Sequence, residues 1–288
     1  MSFKLGDGIE MPLIGYGLGS ANMVIEHKDV VSATDMALKN GFHHLDCAEA
    51  YKNEAAVGES IKASGIPRES LFITTKVTGF PGQNVEEAFS SSLQKLGTDY
   101  VDLYLIHLPY VAPDEMSSFW SQLEAIHATG RARSIGVSNF LQKHLEALLE
   151  KATIKPAINQ IEYHPYLQHG DLVRYCQERG IPVSAYGVLT AITKARPGPV
   201  DAIYAELAAK YGVGENDIAI KWCIDQGIAV ITTSSNPERL NGFRDSVDKF
   251  TLAPEEIQRI SELGQEKHYR AVYGGTMESS QMIEAELE

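Results

Sequence analysis

Apolar residues recur along this chain in two alternating patterns. Short apolar runs occupy residues 13–17, 42–46, 71–76, 100–107, 134–138, 157–160, 181–186 and 228–232. Between them lie stretches in which apolar residues return every three or four positions, the spacing of one helix face. Residues 29–38 carry Val30, Ala33, Ala37 and Leu38, and residues 85–96 carry Val85, Ala88, Phe89, Leu93 and Leu96. The stretches 119–128, 141–149, 172–178, 203–211 and 237–243 read in the same way. Asn40-Gly41 and Arg179-Gly180 put a glycine just past a helical stretch, where left-handed caps are common. Ahead of the first run, Phe3-Lys4-Leu5 and Ile9-Glu10-Met11 flank Gly6-Asp7-Gly8, and Asp-Gly is a strong hairpin signal.

Eight strands alternating with helices predict an α/β protein, a (β/α)8 TIM barrel with an N-terminal β-hairpin, as one domain over residues 1–288. A doubly wound sheet uses the same alternation. It wants G-x-G-x-x-G after an early strand, and Gly15-Tyr16-Gly17-Leu18-Gly19 is G-x-G-x-G. The acidic end, Glu284-Ala285-Glu286-Leu287-Glu288, reads as a frayed tail.

Composition narrows the partners. A formal net charge of -13 argues against nucleic acid, since neutralising phosphates takes clustered Lys and Arg. No apolar run approaches the roughly 20 residues that span a bilayer, and the first residues hold no apolar signal-peptide core, so no membrane role and a cytoplasmic location are expected. Cys47, Cys176 and Cys223 lie far apart without a zinc pattern and read as buried free thiols.

Active sites of such barrels sit at the C-terminal ends of the strands. The residues there are Asp46, Lys76, His107, Ser138 with Asn139, Gln160 with Glu162, Tyr186, and Thr232 to Ser234. Each alone has a plainer explanation: a solvated lysine, an N-capping aspartate, a structural histidine. Their coincidence at one mouth does not. His43 and His44 are adjacent and point to opposite strand faces, so they argue against a catalytic metal. No G-x-S-x-G elbow supports a serine nucleophile.

Residues 41–58, from Gly41-Phe42-His43-His44-Leu45-Asp46 through Tyr51-Lys52-Asn53-Glu54, strongly resemble the first signature of the aldo-keto reductases. Residues 96–107, 133–140 and 159–167 resemble three more family segments, in order, and the similarity runs from about Met11 to Leu263. The resemblance implies hydride transfer from a nicotinamide cofactor to a carbonyl, with Asp46, Tyr51, Lys76 and His107 as the catalytic set. In that set Tyr51 is the general acid, Lys76 lowers its pKa, Asp46 holds Lys76, and His107 orients the carbonyl. It further implies cofactor contacts from Gly17, Asp46, Ser138, Asn139, Gln160, Tyr186, Gly187, Val188, Leu189, Thr233, Ser234, Ser235, Asn236 and Arg239. Tyr51, His107, Leu108 and Tyr110 would contact substrate, with Ala50, Tyr16 and Trp120 as further candidate walls.

The chain also departs from the family pattern. Thr232-Thr233-Ser234 stands where Pro-Lys-Ser is usual, and Phe243 where an asparagine is frequent. Arg239 remains, and its forked donors suit a phosphate, so NADPH is expected, with NADH possible given the departures. Leu108 replaces a common tryptophan, and residues 190–200 make a short loop that should ease cofactor exchange. The segment from Thr232 to Arg239 is most similar to the fungal α-keto amide and conjugated polyketone reductase branch. The implied partner is a small-molecule carbonyl, such as an aldehyde, α-keto amide, α-keto ester or diketone, and the implied state a monomer. The competing function is a non-catalytic, nicotinamide-nucleotide-binding regulatory subunit.

Overall fold

The eight apolar runs become the strands of one closed barrel. In the computed structural model, which describes residues 1–19 and 26–273, the hairpin strands β1 (Ser2–Lys4) and β2 (Glu10–Pro12) pair antiparallel with Phe3 opposite Met11. Eight parallel strands follow: β3 (Ile14–Gly17), β4 (His44–Asp46), β5 (Phe72–Val77), β6 (Val101–Ile106), β7 (Ala132–Ser138), β8 (Asn159–Glu162), β9 (Val183–Tyr186) and β10 (Ala229–Thr232). They form a closed barrel in chain order, with β10 completing the ring against β3. The acidic segment 284–288 lies outside the described residues.

Every second residue of a strand faces inward. On β5 these are Phe72, Thr74 and Lys76, and on β6 Leu103 and Leu105, with His107 next in phase. The intervening Ile73, Val77, Tyr104 and Ile106 pack outward with residues of the helices. Those helices are α1 (His27–Lys39), α2 (Glu54–Ser64), α3 (Val85–Leu96), α4 (Pro113–Ala128), α5 (Gln142–Leu149), α6 (Leu172–Glu178), α7 (Thr190–Thr193), α8 (Asp201–Tyr211), α9 (Glu215–Ile224), α10 (Pro237–Lys249) and α11 (Pro254–Gln265).

Four of them go beyond the stretches that periodicity marked. The buried side of α2 is small, with Ala56, Val57, Gly58 and Ser60, so it leaves little hydrophobic signal. Residues 218–223 of α9 are buried all round, which erases the polar face that marks a surface helix. The third, α11, carries Ile257, Ile260 and Leu263 towards the core, and α7 is a single turn inside the expected loop.

The hairpin seals the N-terminal end of the barrel. Leu5, Met11 and Leu13 are buried in one cluster with Phe72, Leu103, Leu105 and Ile158. Ser134 Oγ donates to Asp7 Oδ2 at 2.6 Å, and Gly6 N–H to the Ala157 carbonyl at 2.8 Å. An apolar floor thus leaves the polar inward residues for the opposite end. All three cysteines are buried free thiols, as expected. Among the described residues, no helix is long and apolar enough to cross a membrane.

Leu5 is 3% exposed within that floor. Leu5→Ala is expected to destabilise the fold by about 2–5 kcal/mol through lost burial and a residual cavity. Urea unfolding measures this, and a loss near zero would mean that the hairpin does not seal the barrel.

Candidate active site

Lys76 enters from β5 with a side chain that is 0% exposed. An ammonium in that position needs a partner and filled hydrogen bonds. Its Nζ donates to Asp46 Oδ1 at 2.5 Å and to the Cys47 carbonyl at 2.7 Å. The other carboxylate oxygen of Asp46 accepts from Gln160 Nε2 at 2.9 Å, which ties β4 to β8 across the barrel. Ser138 Oγ donates to the Gln160 carbonyl at 2.8 Å. Asn139, at φ 63°, donates to the His107 carbonyl at 2.9 Å and accepts from Tyr186 Oη at 2.6 Å. One hydrogen-bonded network therefore joins the ends of β4, β5, β7, β8 and β9.

Tyr51 comes from the 3-10 turn Glu49–Tyr51 that follows β4. Its ring centroid lies 5.2 Å from Lys76 Nζ and 5.4 Å from the His107 ring, edge-on at 83°. Glu49 anchors the turn by accepting from Gln83 Nε2 at 2.9 Å, and Asn53 Nδ2 donates to the Leu18 carbonyl at 2.8 Å. Gly19 lies against the ring: a Cβ there would meet Tyr51 Cζ at 2.8 Å, closer than side chains approach. Burial pushes the Tyr51 phenol well above the usual tyrosine range, and Asp46 and Cys47 add to the shift. The consequence is a phenol that keeps its proton.

Burial, helped by Lys76, lowers His107 to about 3, so its imidazole is neutral. Its Nδ1 has no partner among the described residues, while Nε2 lies 3.1 Å from Tyr273 Oη. An orphaned buried N–H is rarer than an orphaned acceptor, which places the ring proton on Nε2.

A cavity of about 770 Å³ opens over this network, within the size range of ligand sites. Of the residues named from sequence, Gly17, Asp46, Tyr51, His107, Ser138, Gln160, Tyr186, Gly187, Val188, Leu189 and Thr233 line it. Asn139 stands behind Ser138 in the network. Leu108 is buried outside the lining, and Tyr110 stacks on Phe80 at 5.4 Å, also outside it. Ser234, Ser235, Asn236 and Arg239 lie beyond the lining too, where Asn236 caps α10 by accepting from Arg239 N–H at 3.1 Å. Trp120 belongs to the core, donating to the Ile154 carbonyl at 2.9 Å, Tyr16 faces outward on β3, and Ala50 lies in the 3-10 turn. Among the described residues, no cluster of His, Cys, Asp and Glu could hold a metal ion.

The lining also includes residues that the sequence reading did not name for the site: Gly19, Thr190, Thr193, Lys194, Ile231 and residues 271–273. Single-turn α7 brings Thr190 and Thr193 to the wall, so the short loop 190–200 contributes to the cavity. Residues 271–273 follow α11 and carry no periodicity. Their only sequence signal was indirect, a glutamate at the end of β8.

Residues 13–265 match the sequence model described as the Aldo/keto reductase family. The chain is 40% identical over 272 residues to an NAD/NADP-dependent indole-3-acetaldehyde reductase of Schizosaccharomyces pombe, covering 91% of this chain and 95% of that protein. It is 37% identical over 269 residues to a glyoxal reductase of Bacillus subtilis, covering 92% and 93%. Among solved structures, a Bombyx mori aldo-keto reductase in complex with NADP superposes with a TM-score of 0.84 at 33% identity, covering 95% of each chain. An aldo-keto reductase from a Medee basin deep-sea metagenome library gives a TM-score of 0.84 at 38% identity, covering 94% of this chain and 97% of that one.

The neutral histidines make stability depend on pH. Burial, chiefly, lowers His44 to about 4 and His107 to about 3, against 6.5 for a free histidine. Below pH 6.5 the unfolded chain takes up protons that the folded site refuses, so stability falls as pH drops towards those values. Each histidine contributes a slope of about 1.4 kcal/mol per pH unit in that window. Urea unfolding between pH 7 and pH 5 is expected to give a shallower slope for His107→Gln than for the wild type. Equal slopes would mean that His107 is not held neutral.

Proposed function

The chain belongs to the aldo/keto reductase family, and from that premise we propose that it reduces small carbonyl compounds with a nicotinamide nucleotide. The observation that carries the proposal is the buried Lys76–Asp46 pair, packed beside a protonated Tyr51 and a neutral His107 on one cavity. The cavity also fits the nucleotide chemically. Its wall offers Ser138, Gln160, Thr190, Thr193 and Thr233 as hydrogen-bonding groups and Lys194 as a cation, beside the apolar Val188, Leu189 and Ile231.

A bound nicotinamide nucleotide supplies the hydride. Ser138 and Gln160 would hold its carboxamide, Tyr186 and residues 187–189 would line the rest of its seat, and Asn139 would fix Ser138 from behind. His107 donates Nε2–H to the carbonyl oxygen of the substrate and fixes its direction. As the carbonyl carbon gains the hydride, its π bond breaks and Tyr51 Oη passes a proton to the oxygen. The phenolate left behind faces the Lys76 ammonium, whose position Asp46 secures, and regains a proton from solvent. This division of labour needs a tyrosine that is protonated before the step and a cation that stabilises it afterwards. The site provides both.

NADPH is the proposed cofactor, with NADH accepted. Arg239 is exposed on the first turn of α10, where it can reach a phosphate with its forked donors. Thr233 lines the cavity without adding a charge. The proposed substrates are aldehydes, α-keto amides, α-keto esters and diketones, in keeping with relatives named as aldehyde and glyoxal reductases.

Tyr51→Phe is expected to lower turnover of NADPH with methylglyoxal by about 10²–10⁴-fold while NADPH still binds. Turnover at the wild-type rate would remove Tyr51 from the chemistry. A wild-type protein that binds NADPH and turns over no aldehyde, keto ester or diketone would instead be a regulatory subunit.

Cofactor choice gives a separate check. Thr233→Lys is expected to raise the kcat/KM ratio for NADPH over NADH by about tenfold, the worth of one charge-assisted phosphate contact. An unchanged ratio would place the 2′-phosphate elsewhere.

A further inference from the structure

Glu162 is a buried carboxylate at the C-terminal end of β8, 1% exposed, that the proposed reduction does not use. Taking a carboxylate out of water is expensive unless its oxygens are filled by donors. Here Ala271 N–H donates to Oε1 at 2.7 Å and Val272 N–H to Oε2 at 3.0 Å. His164 Nε2 lies 3.1 Å from Oε1. His164 shares the side of Glu162, being two residues on, while Tyr163 turns the other way and stacks on Trp222 at 5.1 Å. His169 Nε2 holds the Glu162 carbonyl at 2.7 Å and so fixes the backbone. Burial alone would push the carboxyl up, but His164 and the two amides together hold it below the usual carboxylate range. Hydrogen bonds to an ionised acceptor are the strong ones. Both amide donors belong to a segment that lines the cavity and lies more than 100 residues away in sequence.

The next residue of that segment is Tyr273. It adopts φ 64°, a left-handed conformation that a non-glycine residue keeps only when its surroundings impose it. Its hydroxyl lies 3.1 Å from His107 Nε2, and the two rings meet edge-on with centroids 6.2 Å apart. With the His107 proton on Nε2, the Tyr273 oxygen accepts it.

We propose that Glu162 is a positioning residue: its carboxylate tethers residues 271–273 over the cavity and holds the Tyr273 hydroxyl on His107 Nε2, where a substrate carbonyl oxygen would be received. The competition with substrate rests on the reductase reading; the tether does not. A carbonyl must displace the Tyr273 hydroxyl to reach His107, and a bulky one must also move the segment against the grip of Glu162. The tether therefore sets an entry cost that rises with substrate size.

Hydrogen exchange in the full-length, ligand-free protein tests the tether without turnover. The Ala271 and Val272 amides are expected to be protected, and to exchange at least about tenfold faster in Glu162→Gln, where an NH2 group faces one of the donors. Wild-type amides that exchange like open chain overturn the tether. Kinetics with NADPH and methylglyoxal test the competition. Tyr273→Phe is expected to lower KM about three- to tenfold, by more than it changes kcat, because one competing hydrogen bond is gone. Glu162→Gln should move KM the same way, and the double variant should gain nothing further. A KM that is unchanged or raised in Tyr273→Phe overturns the proposal, whether or not Glu162→Gln folds. If the wild type reduces no carbonyl, the reductase reading fails, and the exchange result alone then decides the tether.

Discussion

The buried pair of Lys76 and Asp46 is the constraint on which the rest of the site depends. Two charges at 0% and 3% side-chain exposure, 2.5 Å apart, persist only if nearly every remaining donor and acceptor is filled. The Cys47 carbonyl and Gln160 Nε2 do that filling. Gln160 is in turn fixed through Ser138 and Asn139, so satisfying one ion pair organises five strand ends. The barrel makes this possible because its inward positions converge on one axis.

The same burial sets the proton inventory. Away from water, the neutral forms of Tyr51 and His107 are both favoured. A tyrosine that keeps its proton is a donor at rest. The Lys76 ammonium beside it opposes that burial by favouring the phenolate. The apolar floor formed by Leu5, Met11, Leu13 and Leu105 keeps water from rising into the site from the other end.

Around this rigid centre the walls differ in how they are held. The β4, β5 and β8 side is fixed by side chains that belong to strands. The side formed by residues 271–273 is held by contacts from Glu162 and His107. The long resemblance to aldehyde and glyoxal reductases covers the rigid centre, while the family match itself ends at residue 265.

Much of this was legible along the chain. Short apolar runs and period-3.6 stretches marked eight strands and most of the helices, because a run buried on both sides and a helix with one buried face leave different patterns. Their position at the C-terminal ends of successive strands also placed Asp46, Lys76 and His107 at one mouth. Tyr51 was reached only through its motif, since it sits in a turn with no periodicity. The small-sided α2 and the fully buried α9 escaped because neither shows a contrast between faces. Tertiary structure alone decided that Lys76 Nζ bonds both Asp46 and the Cys47 carbonyl. It alone put Lys194 and Tyr273 on the cavity and turned Leu108 and Tyr110 away from it. A residue's phase is local and can be read from its neighbours. Desolvation, and contact between Glu162 and residues 271–272, depend on parts of the chain that meet only when the barrel closes.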